Sequence, residues 1–148
     1  MIRNEAEYQV ARKQIDVDRA FAQRQRAELE AKGYTAEQVT RGMEATLSFQ
    51  AHLAEEVDWY EKARRREIAP LANFAQIGRL LIGLRLANGF SQRELADRLG
   101  VSEASVSRDE RNEYHGITVE RAQRVLEALG ETTTTVVAAT PPRDLAAA

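Results

Sequence analysis

Residues 3–32 run for thirty positions without a proline or a glycine and are rich in Ala, Glu, Gln, Arg and Lys, the residue types that lose least on entering a helix. One long helix is the natural reading, and a helix in water is held mainly by burying one of its faces. Tyr8, Ile15, Ala22 and Leu29 recur at seven-residue spacing with Val10, Ala11 and Phe21 beside them, an apolar stripe that needs a partner. Gly33 suits a carboxyl-terminal cap, and Thr35 with Gln38 three positions later has the form of a capping box opening a second helix. Over residues 36–67 a second apolar pattern passes through Val39, Met43, Leu47, Leu53, Val57 and Tyr60. The two helices are expected to fold back as an antiparallel hairpin with Trp59 and Tyr60 in its core. Such stripes are packing surfaces before they are ligand sites, so the hairpin reads as a spacer, a dimerisation arm or a partner-binding arm. The run Lys62, Arg64, Arg65 and Arg66 at its end either serves the helix dipole and solvent or touches phosphate.

Glu67-Ile68-Ala69-Pro70 breaks this pattern, because proline disfavours helix in the residue before it. Four shorter helical patterns follow, over 74–87, 91–99, 102–111 and 118–129, punctuated by Asn88-Gly89, Gly100 and Gly116. Residues 132–140 are rich in threonine and valine and end at Pro141-Pro142, so they form either a short strand paired with a second copy or a flexible tail. The expected fold is all-α, with an arm over residues 1–67, a compact helical unit over 71–130 and a strand or tail over 131–148.

Composition removes several functions. The chain has no cysteine, so disulfide scaffolds, thiolate metal sites and cysteine nucleophiles are excluded together. His52 and His115 are the only histidines, neither in a catalytic pattern, and Glu55 and Glu56 read as helix surface. No phosphate-cradling glycine loop or metal-ligand cluster is present, so an enzyme, a cofactor and a metal are not expected. The first residues are charged, and no apolar run approaches the ~20 residues of a membrane span, which points to the cytoplasm. The net charge of -2 argues against coating nucleic acid by bulk electrostatics, so any such contact must be local.

A local candidate exists in residues 92–111. Ala96 is small where two helices must cross closely, Gly100 supplies a left-handed turn, and Leu95, Leu99, Val101 and Val106 fill a shared core. Ser91 and Ser102 are placed to cap the two helices, and Glu103, Ala104, Ser107 and Arg108 form a polar outward face. Together these have the length and pattern of a helix-turn-helix that meets DNA.

Residues 84–130, roughly the central third of the chain, resemble the Xre, or lambda-repressor-like, helix-turn-helix family. The resemblance is carried by Arg85, Gly89-Phe90-Ser91-Gln92, Leu95-Ala96, Leu99-Gly100-Val101-Ser102, Val106-Ser107-Arg108, Glu110 and Leu126-Glu127-Ala128-Leu129-Gly130. It implies a bundle of four or five helices that sets one helix in the major groove of double-stranded DNA. It further implies base-edge contacts from Glu103, Ala104, Ser107 and Arg108, and phosphate contacts from Gln92, Ser102, Ser105 and Asn112. Arg108 is the best base reader, since a guanidinium can grip guanine bidentately. Glu103 either accepts from cytosine or sits as favourable charge in the first turn, and Arg111 serves phosphate or solvent. Arg85 and Glu110 match a structural ion pair, and Ala96 and Gly100 match structural positions. Two features depart from the family: Asp109 stands where an apolar residue is usual, and residues 111–116 replace a glycine-containing turn, with Tyr114 as a substitute plug. The implied function is a homodimeric transcriptional regulator, a repressor on a pseudo-palindromic operator. The alternative is an antitoxin whose arm holds a toxin.

Overall fold

Asn4 opens the first helix by accepting the Glu7 backbone N–H at 2.8 Å, and α1 (Glu5–Ala31) runs unbroken to Gly33, whose φ of +80° turns the chain back. Thr35 and Gln38 make the reciprocal capping box and start α2 (Ala36–Arg64). The computed structural model describes residues 1–71 and 73–136, and within them lie six α-helices and no strand. None of these helices is long and apolar enough to cross a membrane.

The buried line along the hairpin follows a seven-residue repeat, but its members are not all apolar. On α1 it passes through Tyr8, Ala11, Ile15, Asp18, Ala22, Gln25 and Leu29, and on α2 through Val39, Met43, Thr46, Gln50, Leu53, Val57 and Tyr60. Three of the polar residues that interrupt it find partners across the pair: Thr46 donates to Gln25 Oε1 at 2.8 Å and Gln50 Nε2 donates to the Asp18 backbone carbonyl at 2.6 Å, while the Asp18 carboxylate accepts from Gln14 on its own helix. Val10, Phe21 and Leu47, expected in the stripes, are instead exposed. Val10 and Phe21 each precede a buried alanine by one residue, which turns them about 100° off the seam. Thr46 takes the seam position that Leu47 was expected to hold.

At the base of the hairpin Tyr8 stacks on Tyr60 with ring centroids 4.8 Å apart, and each hydroxyl donates to a carboxylate, Tyr8 to Glu61 and Tyr60 to Glu5. Burial pushes the Tyr60 hydroxyl up to about 12. Trp59 is only half-buried, contrary to expectation, and carries the Arg79 guanidinium 5.0 Å from its ring centroid.

α2 ends three residues before the expected position 67. Arg66 adopts a φ of +62°, while Arg65 and Glu67 return N–H groups to the last helical carbonyls. The strain at Arg66 is offset by its side chain, which donates to Asn88 at 2.9 Å and to Glu131 at 2.6 Å. Lys62 pairs with Asp58 and Arg65 with Glu67, so three members of the basic run are engaged within the protein.

A tight turn, Phe74–Gln76, replaces the expected first helical turn and leads into α3 (Ile77–Ala87), followed by α4 (Gln92–Leu99), α5 (Glu103–Arg111) and α6 (Val119–Leu129). Leu81, Ile82, Leu95, Val106, Val125 and Leu129 fill the centre of this bundle. Ile2, Val57, Tyr60 and Ala63 belong to the same core, so the base of the hairpin packs directly on the helices that follow. Residues 131–136 lie in neither helix nor strand, and the rest of the threonine-rich segment falls outside the described residues.

Candidate nucleic-acid interface

α4 begins on Ser91, whose hydroxyl accepts the Glu94 N–H at 3.1 Å while the Ser91 N–H donates back to the Glu94 carboxylate at 2.7 Å. The Ser91 N–H and the Ser91 hydroxyl, both donating to that carboxylate, hold it below its usual range. α4 ends at Gly100, with φ +65° and ψ 32°, and the Val101 N–H closes the turn on the Ala96 carbonyl at 3.0 Å. A Cβ at Gly100 would meet nothing within 4 Å, so it is the left-handed backbone and not lack of space that favours glycine there. Ser102 then caps α5 by accepting the Ser105 N–H at 3.2 Å. Leu95, Ala96 and Val106 lock the two helices together from beneath.

This geometry turns one side of α5 outward. Glu103, Ala104, Arg108 and Arg111 are exposed on it, with Ser102 before it and Asn112 after it; Ser105 and Ser107 are half-buried at its edges. Among the described residues neither Arg108 nor Arg111 has a carboxylate partner, and the same holds for Arg93 in the first turn of α4. Unpaired guanidinium groups and capped helix amino termini are local anion-binding features that a net charge of -2 does not cancel. Nothing in the sequence singled out Arg93. The signal that points to it is its place one residue after Gln92.

The opposite side of α5 is fastened at Glu110. Arg85 on α3 gives its Nε to one carboxylate oxygen at 2.5 Å and its Nη2 to the other at 2.7 Å, and both side chains are buried. The same guanidinium donates to the Phe90 carbonyl at 2.7 Å and to the Arg3 carbonyl at 2.8 Å, which joins the chain before α1 and the turn before α4 to the end of α5. Gln92 Nε2 also donates to Glu110, at 2.7 Å. The Gln92 amide is thereby oriented at the mouth of α4, with a second N–H available to an incoming group.

Asp109 bonds Arg121 at 2.5 Å, tying α5 to the first turns of α6, where the resemblance leads one to expect an apolar contact. The turn after α5 contains two successive left-handed residues, Glu113 (φ 48°) and Tyr114 (φ 53°), and the Tyr114 ring is buried beneath it. Burial raises the Tyr114 hydroxyl, which finds no hydrogen-bond partner among the described residues. A Tyr114→Phe chain is therefore expected to keep or gain stability by up to about 1 kcal/mol, because an unsatisfied buried hydroxyl costs more than it returns. Chemical denaturation measures this, and a loss above about 1 kcal/mol would show that the hydroxyl is bonded.

Residues 82–136 match the family model described as Helix-turn-helix, of the Xre or lambda-repressor-like kind, and the matched stretch contains α4, its turn and α5 entire. No curated protein and no solved structure matches the chain. Residues 82–136 thus carry a helix-turn-helix, a motif found in DNA-binding transcriptional regulators.

Proposed function

We propose that this chain is a sequence-specific transcriptional repressor that binds a pseudo-palindromic operator as a homodimer. Residues 71–130 serve as the DNA-binding unit, residues 1–67 as an arm and residues 131–148 as a strand or tail. The observation that carries the reading is the outward side of α5, framed by a matched helix-turn-helix and bearing Glu103, Ala104, Ser107 and Arg108. α5 is nine residues long, enough to read one half-site, so specificity over a full operator needs two copies with half-sites about 34 Å apart or a multiple of it. Gln92, Ser102, Ser105 and Asn112 flank that side and are assigned to phosphate, which positions the helix without reading sequence.

Selection from random-sequence DNA at a stated low salt is expected to enrich a two-fold motif, and a pool with no enriched motif overturns the reading. Arg108→Ala is expected to relax preference at one base position in each half-site by about 1 to 3 kcal/mol. Gln92→Ala is expected to weaken binding to selected and unselected sequences by a similar factor. Equal effects of the two changes on sequence preference, read from competition titrations, would remove this division of roles.

A further inference from the structure

The hairpin is chemically two-sided. On one flank α1 presents Arg12, Asp16, Arg19, Gln23, Arg26 and Glu30, all exposed. On the other it presents Val10, Val17 and Phe21, which are 68%, 58% and 52% exposed, and α2 contributes Phe49 at 61%. Phe21 and Phe49 line one shallow groove of about 330 Å³ together with Ala45 and Thr46, which places both rings on the same side of the hairpin. Val10, Gln14, Val17 and Phe21 are spaced by four, three and four residues. That is the spacing of a helix-packing seam, and it is a second seam on a helix whose first is already filled by α2. Gln14, the polar member of the line, donates its amide to Asp18 at 2.7 Å and so is already partnered there.

The size of this face indicates what covers it. The exposed parts of Val10, Val17, Phe21 and Phe49 come to roughly 400 Å² on one copy, the scale at which an apolar patch marks an interaction site. Doubled by a two-fold axis and widened by the polar residues at its edges, the buried area reaches roughly 1,300 Å², within the range of stable complexes. We propose that the occupant is a second copy of this chain, with two hairpins joined through the Val10, Val17, Phe21 and Phe49 faces into an isologous four-helix bundle. The choice of a second copy rests on the regulator reading above, because two half-sites require two α5 helices held at a fixed separation. The face lies on the arm and includes no residue of α5, so pairing leaves the DNA-facing side free.

Sedimentation equilibrium of the full chain from about 1 to 100 μM is expected to show a dimer. A Val17→Glu, Phe21→Glu double variant is expected to raise the dissociation constant at least 100-fold. Its circular dichroism should be unchanged, and its melting should match that of the parent chain diluted below the dissociation constant of the dimer, since the change removes only what association adds. The chain has no cysteine, so a single one introduced at Val17, or at Arg19 on the charged flank, can be joined by a short bis-maleimide. Cross-linking at Val17 and not at Arg19 is expected. A monomer over the whole concentration range, a double variant that stays dimeric, or cross-linking at Arg19 alone overturns the inference. Recovery of a different chain in stoichiometric amount in place of the second copy does the same. DNA selection separates the two readings. A dimer that selects no motif keeps the interface and removes the regulator, whereas a monomer that selects one half-site keeps the DNA contact and removes the interface.

Discussion

A Glu110→Ala chain is expected to lose about 3 to 5 kcal/mol of folding stability, a large part of the 5–15 kcal/mol typical of a folded domain. The reason lies in what is left behind. The Arg85 guanidinium stays buried with its bonds to the Phe90 and Arg3 carbonyls, but without the carboxylate that balances its charge. Gln92 loses its acceptor at the same time, so a folded fraction of the variant should also bind DNA more weakly without change of sequence preference. Urea unfolding reads the first effect, and titration at a protein concentration corrected for the folded fraction reads the second. Arg85→Met combined with Glu110→Leu is expected to recover part of the stability, because packed apolar groups can replace a buried pair at little cost while the Phe90 and Arg3 carbonyls lose their donor. If the double variant were as unstable as the single one, the junction at Arg85 would be held by its bonds to the Phe90 and Arg3 carbonyls and not by the balance of charge.

That junction also shows where sequence reading works and where it stops. Helix ends were legible because they depend on neighbours in sequence: Thr35 with Gln38, Ser91 before α4 and Ser102 before α5 are local chemistry, and each cap forms as the spacing predicts. The all-α fold followed from the same signals. Apolar periodicity was a weaker guide to which face is buried, since it credited Val10, Phe21 and Leu47 to the seam and missed Asp18, Gln25, Thr46 and Gln50. Gln25, Thr46 and Gln50 sit half-buried because each meets a partner on the other helix, a fact that no single helix encodes, whereas the Asp18 carboxylate bonds Gln14 on its own helix. Apart from the Arg85–Glu110 pair, which the resemblance implied, contacts between segments far apart in sequence were equally silent. Asp109 reads as a flaw in an apolar position until Arg121 is seen beside it, and Arg66 reads as one of four solvated cations until Glu131 and Asn88 are placed against it. On the DNA-facing side, spacing alone yields a polar outward face, while the assignment of base and phosphate contacts rests on the resemblance.

Gly78 and Gly83 offer a sharper test, because both lie in α3 and intrinsic helix preference treats them alike. In an exposed helix either one changed to alanine would gain roughly 1 kcal/mol. At Gly83 the added methyl carbon would find Ile68 and Trp59 side-chain carbons at 3.6 and 3.7 Å, ordinary contact distances, so Gly83→Ala is expected to hold or gain stability. At Gly78 the same atom would lie 1.8 Å from the Glu113 carbonyl oxygen and 2.6 Å from its carbon. Backbone cannot rotate aside as a flexible side chain does, and this backbone is already committed, with Glu113 and Tyr114 both left-handed and the Tyr114 ring buried. Gly78→Ala must therefore push α3 away from the turn that follows α5, at a cost of about 3 kcal/mol or more after the helix preference is subtracted. The displaced turn begins at Asn112, so whatever remains folded should also show altered contact with DNA phosphate. Thermal melts of the two variants side by side decide the matter: a clear drop for Gly78→Ala and none for Gly83→Ala is the expected pair. Equal melting temperatures would mean that α3 and the turn after α5 are not in the close contact on which the placement of α5 depends.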